Sequence, residues 1–163
     1  MPTIQFTSGI FYVGLAYRLG MHVDIVPVGD VPARVKRAAS DSLRSVYDSA
    51  VTMHDMQSIP ADAYDRGRDQ YSAEAFIKLA TRVGSGKKNI AVTNEDLFYH
   101  RRNYVFGLAY LDGKGSVIST HRLNTSSDGG VSRRDNDDVF SDRVRKEVIH
   151  EIGHTLGDRK SVV

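Results

Sequence analysis

Short apolar runs alternate with turn residues along this chain and divide it into small units. His22–Val28 (HVDIVPV) is brief, rich in β-branched residues and closed by Gly29, which predicts a buried strand. Pro27 lies near its end, where a strand best tolerates a missing amide donor. Asp30 is placed to cap a following helix and Pro32 to occupy its first turn. Val35, Ala38, Ala39, Ser42, Leu43 and Val46 then recur at helical spacing, so a helix is expected over 31–48. Ala50–Met53 reads as a second strand. Residues 56–68 are polar, contain Pro60 and predict irregular chain. Ser72 is placed to cap a second helix with Ala75, Phe76, Leu79, Ala80 and Val83 on its apolar side, stopped by Gly84-Ser85-Gly86. Asn89–Thr93, Asn103–Leu111 and Ser116–Thr120 read as strands, the last two joined by the hairpin signal Asp112-Gly113-Lys114-Gly115. Thr125–Asp138 predicts a polar loop, and Ser141 the cap of a last helix ending at Gly157.

Strand, helix, strand, helix, strand, hairpin, helix is the order of an α/β (α+β) domain with a mixed sheet. An antiparallel edge strand is expected within 104–120. The chain has 163 residues, 40% of them hydrophobic, which suits one domain with one core. Its 22 cations nearly balance 20 anions, so net charge makes no case for nucleic acid or an anionic membrane. There is no cysteine, which excludes disulfides and thiolate metal sites. Gly9–Tyr17 (GIFYVGLAY) is apolar but lacks a positive flank before it, is followed at once by Arg18, and is too short to span a bilayer. Residues 1–20 are therefore read as an N-terminal extension outside the fold, and the cytoplasm is the expected location.

The chemistry is concentrated in the last predicted helix. His150 and His154 stand four residues apart, which puts both imidazoles on one helical face, one turn apart. Two imidazoles so placed suit one tetrahedral zinc. Glu151, next to the first histidine, is placed to take a proton from a water on that metal and pass it to a leaving amine. The helix also has an apolar face of Val144, Val148, Ile152 and Leu156. Gly157 extends the match towards H-E-x-x-H-x-x-G-x-x-H, the glycine allowing a sharp turn after the helix. An amphipathic helix with two surface histidines is the plainer reading; Gly157 weighs against it. The longer pattern needs a third histidine at position 160, where this sequence has Lys160, and no histidine follows His154. Asp158 and His121 are the two substitutes to consider.

Other features are weaker. Arg101-Arg102, Arg133-Arg134 and Lys87-Lys88 read as solvated loop charges, although Tyr99, Tyr104, Phe106 and Tyr110 near the first pair make a base-stacking surface conceivable. Asp135–Asp138 lacks the ligand spacing of a calcium loop. Gly84-Ser85-Gly86-Lys87-Lys88 hints at a phosphate loop but precedes a strand rather than a helix.

Several blocks come in a familiar order: HVDIVPVGDV from His22, Ala63-Tyr64-Asp65, DQYSAE from Asp69, VTNEDLF from Val92, NYVFGLA from Asn103, Val117-Ile118-Ser119-Thr120 and KEVIHEIGHTLG from Lys146. From about Met21 to Gly157 the sequence resembles the archaemetzincin family, zinc metallopeptidases of metzincin type. The resemblance implies a metzincin-like zincin fold: a twisted mixed sheet, two backing helices and an active-site helix under an edge strand. It also implies one catalytic domain over 21–163, a peptide or protein substrate lying antiparallel to the edge strand, zinc on His150 and His154, and Glu151 as general base. No nucleic-acid or membrane partner is implied. The family continues past the glycine with a third histidine, a cysteine-rich segment for a second zinc and a Met-turn. Here Asp158-Arg159-Lys160-Ser161-Val162-Val163 follow. The C-terminal part of the domain is thus expected to be missing, zinc binding to be weak and turnover to be slight. The alternative is an inactive, peptide-binding remnant of the same fold.

Overall fold

The computed structural model describes residues 21–123 and 136–157. The Gly9–Tyr17 stretch, most of the expected polar loop, Arg133-Arg134, and residues 158–163 with Asp158 and Lys160 lie outside them. Strand β1 (His22–Val28) leads through helix α1 (Ala33–Tyr47) to β2 (Ala50–Met53). Two short strands, β3 (Tyr64–Asp65) and β4 (Gln70–Ser72), precede helix α2 (Ala73–Val83). Then come β5 (Lys88–Thr93), β6 (Leu97–Phe98), β7 (Gly107–Ala109), β8 (Gly115–Ser119) and helix α3 (Asn136–Thr155). The main sheet has the order β2-β1-β5-β8-β7. Its first four strands are mutually parallel, and β7 runs antiparallel to β8 at the edge. The expected mixed sheet with an antiparallel edge strand is the one observed.

Alternation along the strands divides the core in two. Val23 and Ile25 of β1, Ile90 and Val92 of β5 and Ile118 of β8 face α1 and α3. Val26, Val28, Ala91 and Val117 face α2, where Phe76, Ile77 and Ala80 cover them. Both surfaces of the central parallel strands β1, β5 and β8 are therefore covered, as parallel sheets require, while β2 at the edge stays largely exposed. Among the described residues no helix is long and apolar enough to cross a membrane.

The structure corrects several expectations. Val46, assigned to the buried side of α1, is 53% exposed, and Tyr47 is buried in its place. The Tyr47 hydroxyl donates to the Ile149 carbonyl at 3.1 Å, tying α1 to α3. Neither Asp30 nor Ser72 caps by its side chain: Pro32 precedes α1, and Ser72 makes no capping hydrogen bond. Helix α3 begins at Asn136, so Ser141 lies within it rather than at its start. The strand expected over Asn103–Leu111 is regular only at Gly107–Ala109, because Val105 donates its N–H to Leu97 (2.9 Å) and leaves the main sheet. The irregular 56–68 segment holds a turn of 3-10 helix at Ala61–Ala63, and β3 pairs with β4 in a small sheet of order β3-β4-β6.

That small sheet is pinned by one ion pair. Arg122 Nε and Nη2 donate to the two carboxylate oxygens of Asp96, each at 2.9 Å, and Gln70 donates to Asp96 at 3.0 Å. Partial burial pushes the Asp96 carboxyl up, but these hydrogen bonds and the guanidinium charge outweigh it and hold Asp96 below the usual carboxylate range. The folded pKa is thus the lower one. Stability from Asp96 is fully present above the unfolded pKa of about 4 and is lost as pH falls through the folded value. Asp96→Asn is expected to cost about 1–2 kcal/mol near neutral pH, limited by the exposure of Arg122. It should also flatten the acid limb of a pH-dependent denaturation curve.

The glycine-rich loop has a packing role. A Cβ at Gly84 would collide with Asn89 Oδ1, and one at Gly86 with Asp24 Oδ2. Asp24 and Asn89 are register partners on β1 and β5 and are both buried, so the loop passes directly over them. His54 Nε2 meets Asp24 Oδ1 at 2.6 Å on the same surface.

Candidate metal centre

Helix α3 is held from several sides, which fixes its register against the sheet. Val144, Val148 and Ile152 have no exposed surface and pack with Leu43, Ile25 and Ile118 in one cluster. At its C-terminus, Lys88 Nζ donates to the Thr155 carbonyl at 2.5 Å and to Gly113 at 2.8 Å. That satisfies a terminal helix carbonyl and joins the helix end to the β7–β8 turn. Burial lowers the Lys88 pKa, partly offset by nearby Asp112. Gly157 lies in the left-handed region (φ 88°), its N–H donating to His154 O at 3.0 Å, and a Cβ there would stand 2.7 Å from Asp112 Oδ1. The sharp turn read from the sequence is therefore present. Gly157→Ala is expected to destabilise by about 1–2 kcal/mol from backbone strain alone. A lowered denaturation midpoint with an unchanged slope would register it.

The spacing of four residues brings the imidazoles together as expected. His150 Nε2 and His154 Nε2 are 3.1 Å apart, with ring planes at 90°. Two nitrogens bound to one tetrahedral zinc stand about 3.3–3.4 Å apart, so the pair fits zinc with little movement. His154 is buried, and His150 has 26% of its side chain exposed. Glu151 Oε1 lies 3.8 Å from His150 Nε2, beside the pair. Glu151 itself is 4% exposed. Burial, and secondarily the neighbouring Glu147, push its carboxyl up to about 8. Burial also raises Glu147. A cation on the histidines would act in the opposite direction on Glu151.

Gly107 is a site residue that sequence reading missed. A Cβ at that position would stand 2.8 Å from both Glu151 Oε1 and the Val117 carbonyl. The bare glycine therefore lets the edge strand β7 pass directly over the carboxylate. Only the NYVFGLA block, taken as a strand, hinted at it.

The third ligand is not found here. Among the described residues no three His, Cys, Asp or Glu side chains are placed to hold a metal. His121 follows β8, is exposed, and turns Nδ1 to the Asn94 carbonyl at 3.2 Å. It lines a cavity of about 410 Å³ with Arg68, Asp69, Glu95 and Asp96 instead of joining the histidine pair.

Comparison with known proteins gives a consistent picture. The profile of Peptidase family M54 matches residues 45–160. An archaemetzincin of Natronomonas pharaonis is 73% identical over 137 residues, covering 84% of this chain and 79% of the relative. One of Haloarcula marismortui is 74% identical with the same coverage. The crystal structure of an archaemetzincin from Archaeoglobus fulgidus, complexed with malonate, superposes with a TM-score of 0.71 at 28% identity, covering 85% of this chain and 79% of that one. A zinc-dependent peptidase from Methanocorpusculum labreanum gives 0.67 at 28% identity, covering 83% and 81%.

Proposed function

The chain belongs to peptidase family M54, the archaemetzincins, a family of zinc metallopeptidases, and from that membership we propose that its own catalytic centre is His150, Glu151 and His154. One observation carries the reading: a buried carboxylate beside two imidazoles 3.1 Å apart, directly under a bare edge-strand glycine.

His150 Nε2 and His154 Nε2 would hold the zinc. When bound, zinc supplies the Lewis acidity that polarises a scissile carbonyl and acidifies water. The substrate peptide lies antiparallel along the outer edge of β7, which among the described residues has a strand partner on one side only. Main-chain hydrogen bonds to that edge orient the peptide, and Gly107 sets the scissile bond over Glu151. Glu151 Oε1 takes a proton from the attacking water and delivers it to the leaving amine. Its burial keeps bulk water from competing for that proton. On this reading residues 21–163 are one catalytic domain.

A second reading has its own observation. Catalytic zinc has three protein ligands, and Lys160 stands where the longer pattern places a histidine. With two imidazoles alone the chain binds zinc weakly and holds peptides along β7 without cleaving them. Incubation of the zinc-loaded chain with a quenched-fluorescent peptide mixture separates the two. Turnover that disappears in Glu151→Ala supports the peptidase. Peptide binding without turnover supports the second reading.

A further inference from the structure

The chain entering β7 carries an exposed cationic loop. Val105 N–H donates to Leu97 O at 2.9 Å, closing the 98–104 hairpin immediately before the edge strand. The hairpin is held firmly: Arg68 Nη2 donates to the His100 carbonyl at 2.9 Å and Nη1 to the Arg102 carbonyl at 3.0 Å. The same guanidinium lies 4.5 Å from the Phe98 ring centroid. This clamp holds His100 in the left-handed region (φ 52°), which histidine enters more readily than most side chains. The result is an open depression of about 540 Å³ lined by Tyr99, His100, Arg101 and Arg102. Arg101 and Arg102 are exposed, and neither pairs with a carboxylate among the described residues. Of the nearby acids, Asp96 is neutralised by Arg122, while Glu95 lies on the His121 cavity. Tyr104 and Phe106, 39% and 37% exposed, continue this surface up to Gly107.

Direction follows from the strand. β7 runs from Gly107 to Ala109, so an antiparallel peptide runs from Ala109 towards Gly107 and passes Glu151 there. The peptide residues after the scissile bond then continue past Phe106 and Tyr104 to the loop. We propose that Arg101 and Arg102 select substrates with acidic residues on the C-terminal side of the cleaved bond. This rests on the peptide lying along β7, as above. Two exposed guanidiniums on a firmly held backbone, with no carboxylate partner among the described residues, recognise carboxylates well, and discrimination by charge repels basic sequences as much as it attracts acidic ones.

The test measures binding, so it does not depend on turnover. Three fluorescein-labelled decapeptides with a common neutral background are titrated with the zinc-loaded chain: two Glu in the C-terminal half, two Lys there, or two Glu in the N-terminal half. The first is expected to bind about tenfold more tightly than the second, with the preference fading in about 1 M salt. R101Q/R102Q and R101E/R102E should abolish and invert the preference while leaving an all-neutral peptide bound as before. Equal binding of the Glu and Lys peptides overturns the proposal and leaves the β7 site standing. Tighter binding of the N-terminal Glu peptide overturns the assigned direction and with it the proposal. A single-stranded oligonucleotide that binds the same arginines more tightly than the first peptide overturns it in favour of nucleic acid. Binding of no peptide overturns both the selection and the peptide site it rests on.

Discussion

Whatever peptide turnover this chain supports is expected to fall about 10²–10⁴-fold in Glu151→Gln, with zinc content unchanged. The amide has nearly the shape of the carboxylate, so the close approach to Gly107 is kept. What it lacks is the ability to accept and return a proton. His150 and His154 are untouched, so loss of rate with loss of zinc would mean that Glu151 positions the metal instead. Glu151 is nearly fully buried, so truncating it to alanine vacates space beside the histidines. Rescue by added formate or azide in Glu151→Ala would distinguish a missing base from a disordered helix.

Ile152→Ala is expected to be the most destabilising change in the active-site helix, by about 2–5 kcal/mol. Ile152 has no exposed surface and belongs to the same buried cluster as the sheet residues Ile118 and Val92 and the α1 residues Val35 and Leu43, the cluster that seats α3. Removing three carbons there leaves a cavity whose walls are strands and a helix, elements that relax little. The register of His150 and Glu151 depends on the same seat. Chemical denaturation should show a lower midpoint, and zinc affinity should fall in parallel. A small stability loss, below about 1 kcal/mol, would mean that α3 is held mainly by Lys88 and Tyr47 at its edges.

Much of this was readable from the sequence because it depends on period. The strand β1 with its Gly29 stop, the helical face of α1, and the Gly84 stop of α2 follow from spacing and turn chemistry alone. The pairing of His150 with His154 is likewise dictated by 3.6 residues per turn. What could not be read depends on contacts between distant segments. Tyr47 replaces Val46 in the core because the Ile149 carbonyl lies within reach of its hydroxyl. The strands β3, β4 and β6 are two or three residues long and have no period to detect. Nothing in the expected Asn103–Leu111 strand singles out Gly107, and only the position of Glu151 explains it. The Gly84–Lys88 segment resembled a phosphate loop because a close backbone approach needs glycine whether the neighbour is a phosphate or, as here, Asp24 and Asn89.

Zinc per chain, by elemental analysis of protein equilibrated against micromolar free zinc, compared with His150→Ala treated in the same way, tests the central claim most directly. The account predicts one zinc on the native chain and none on the variant. Equal zinc on both would contradict it and would place the metal away from the α3 histidines.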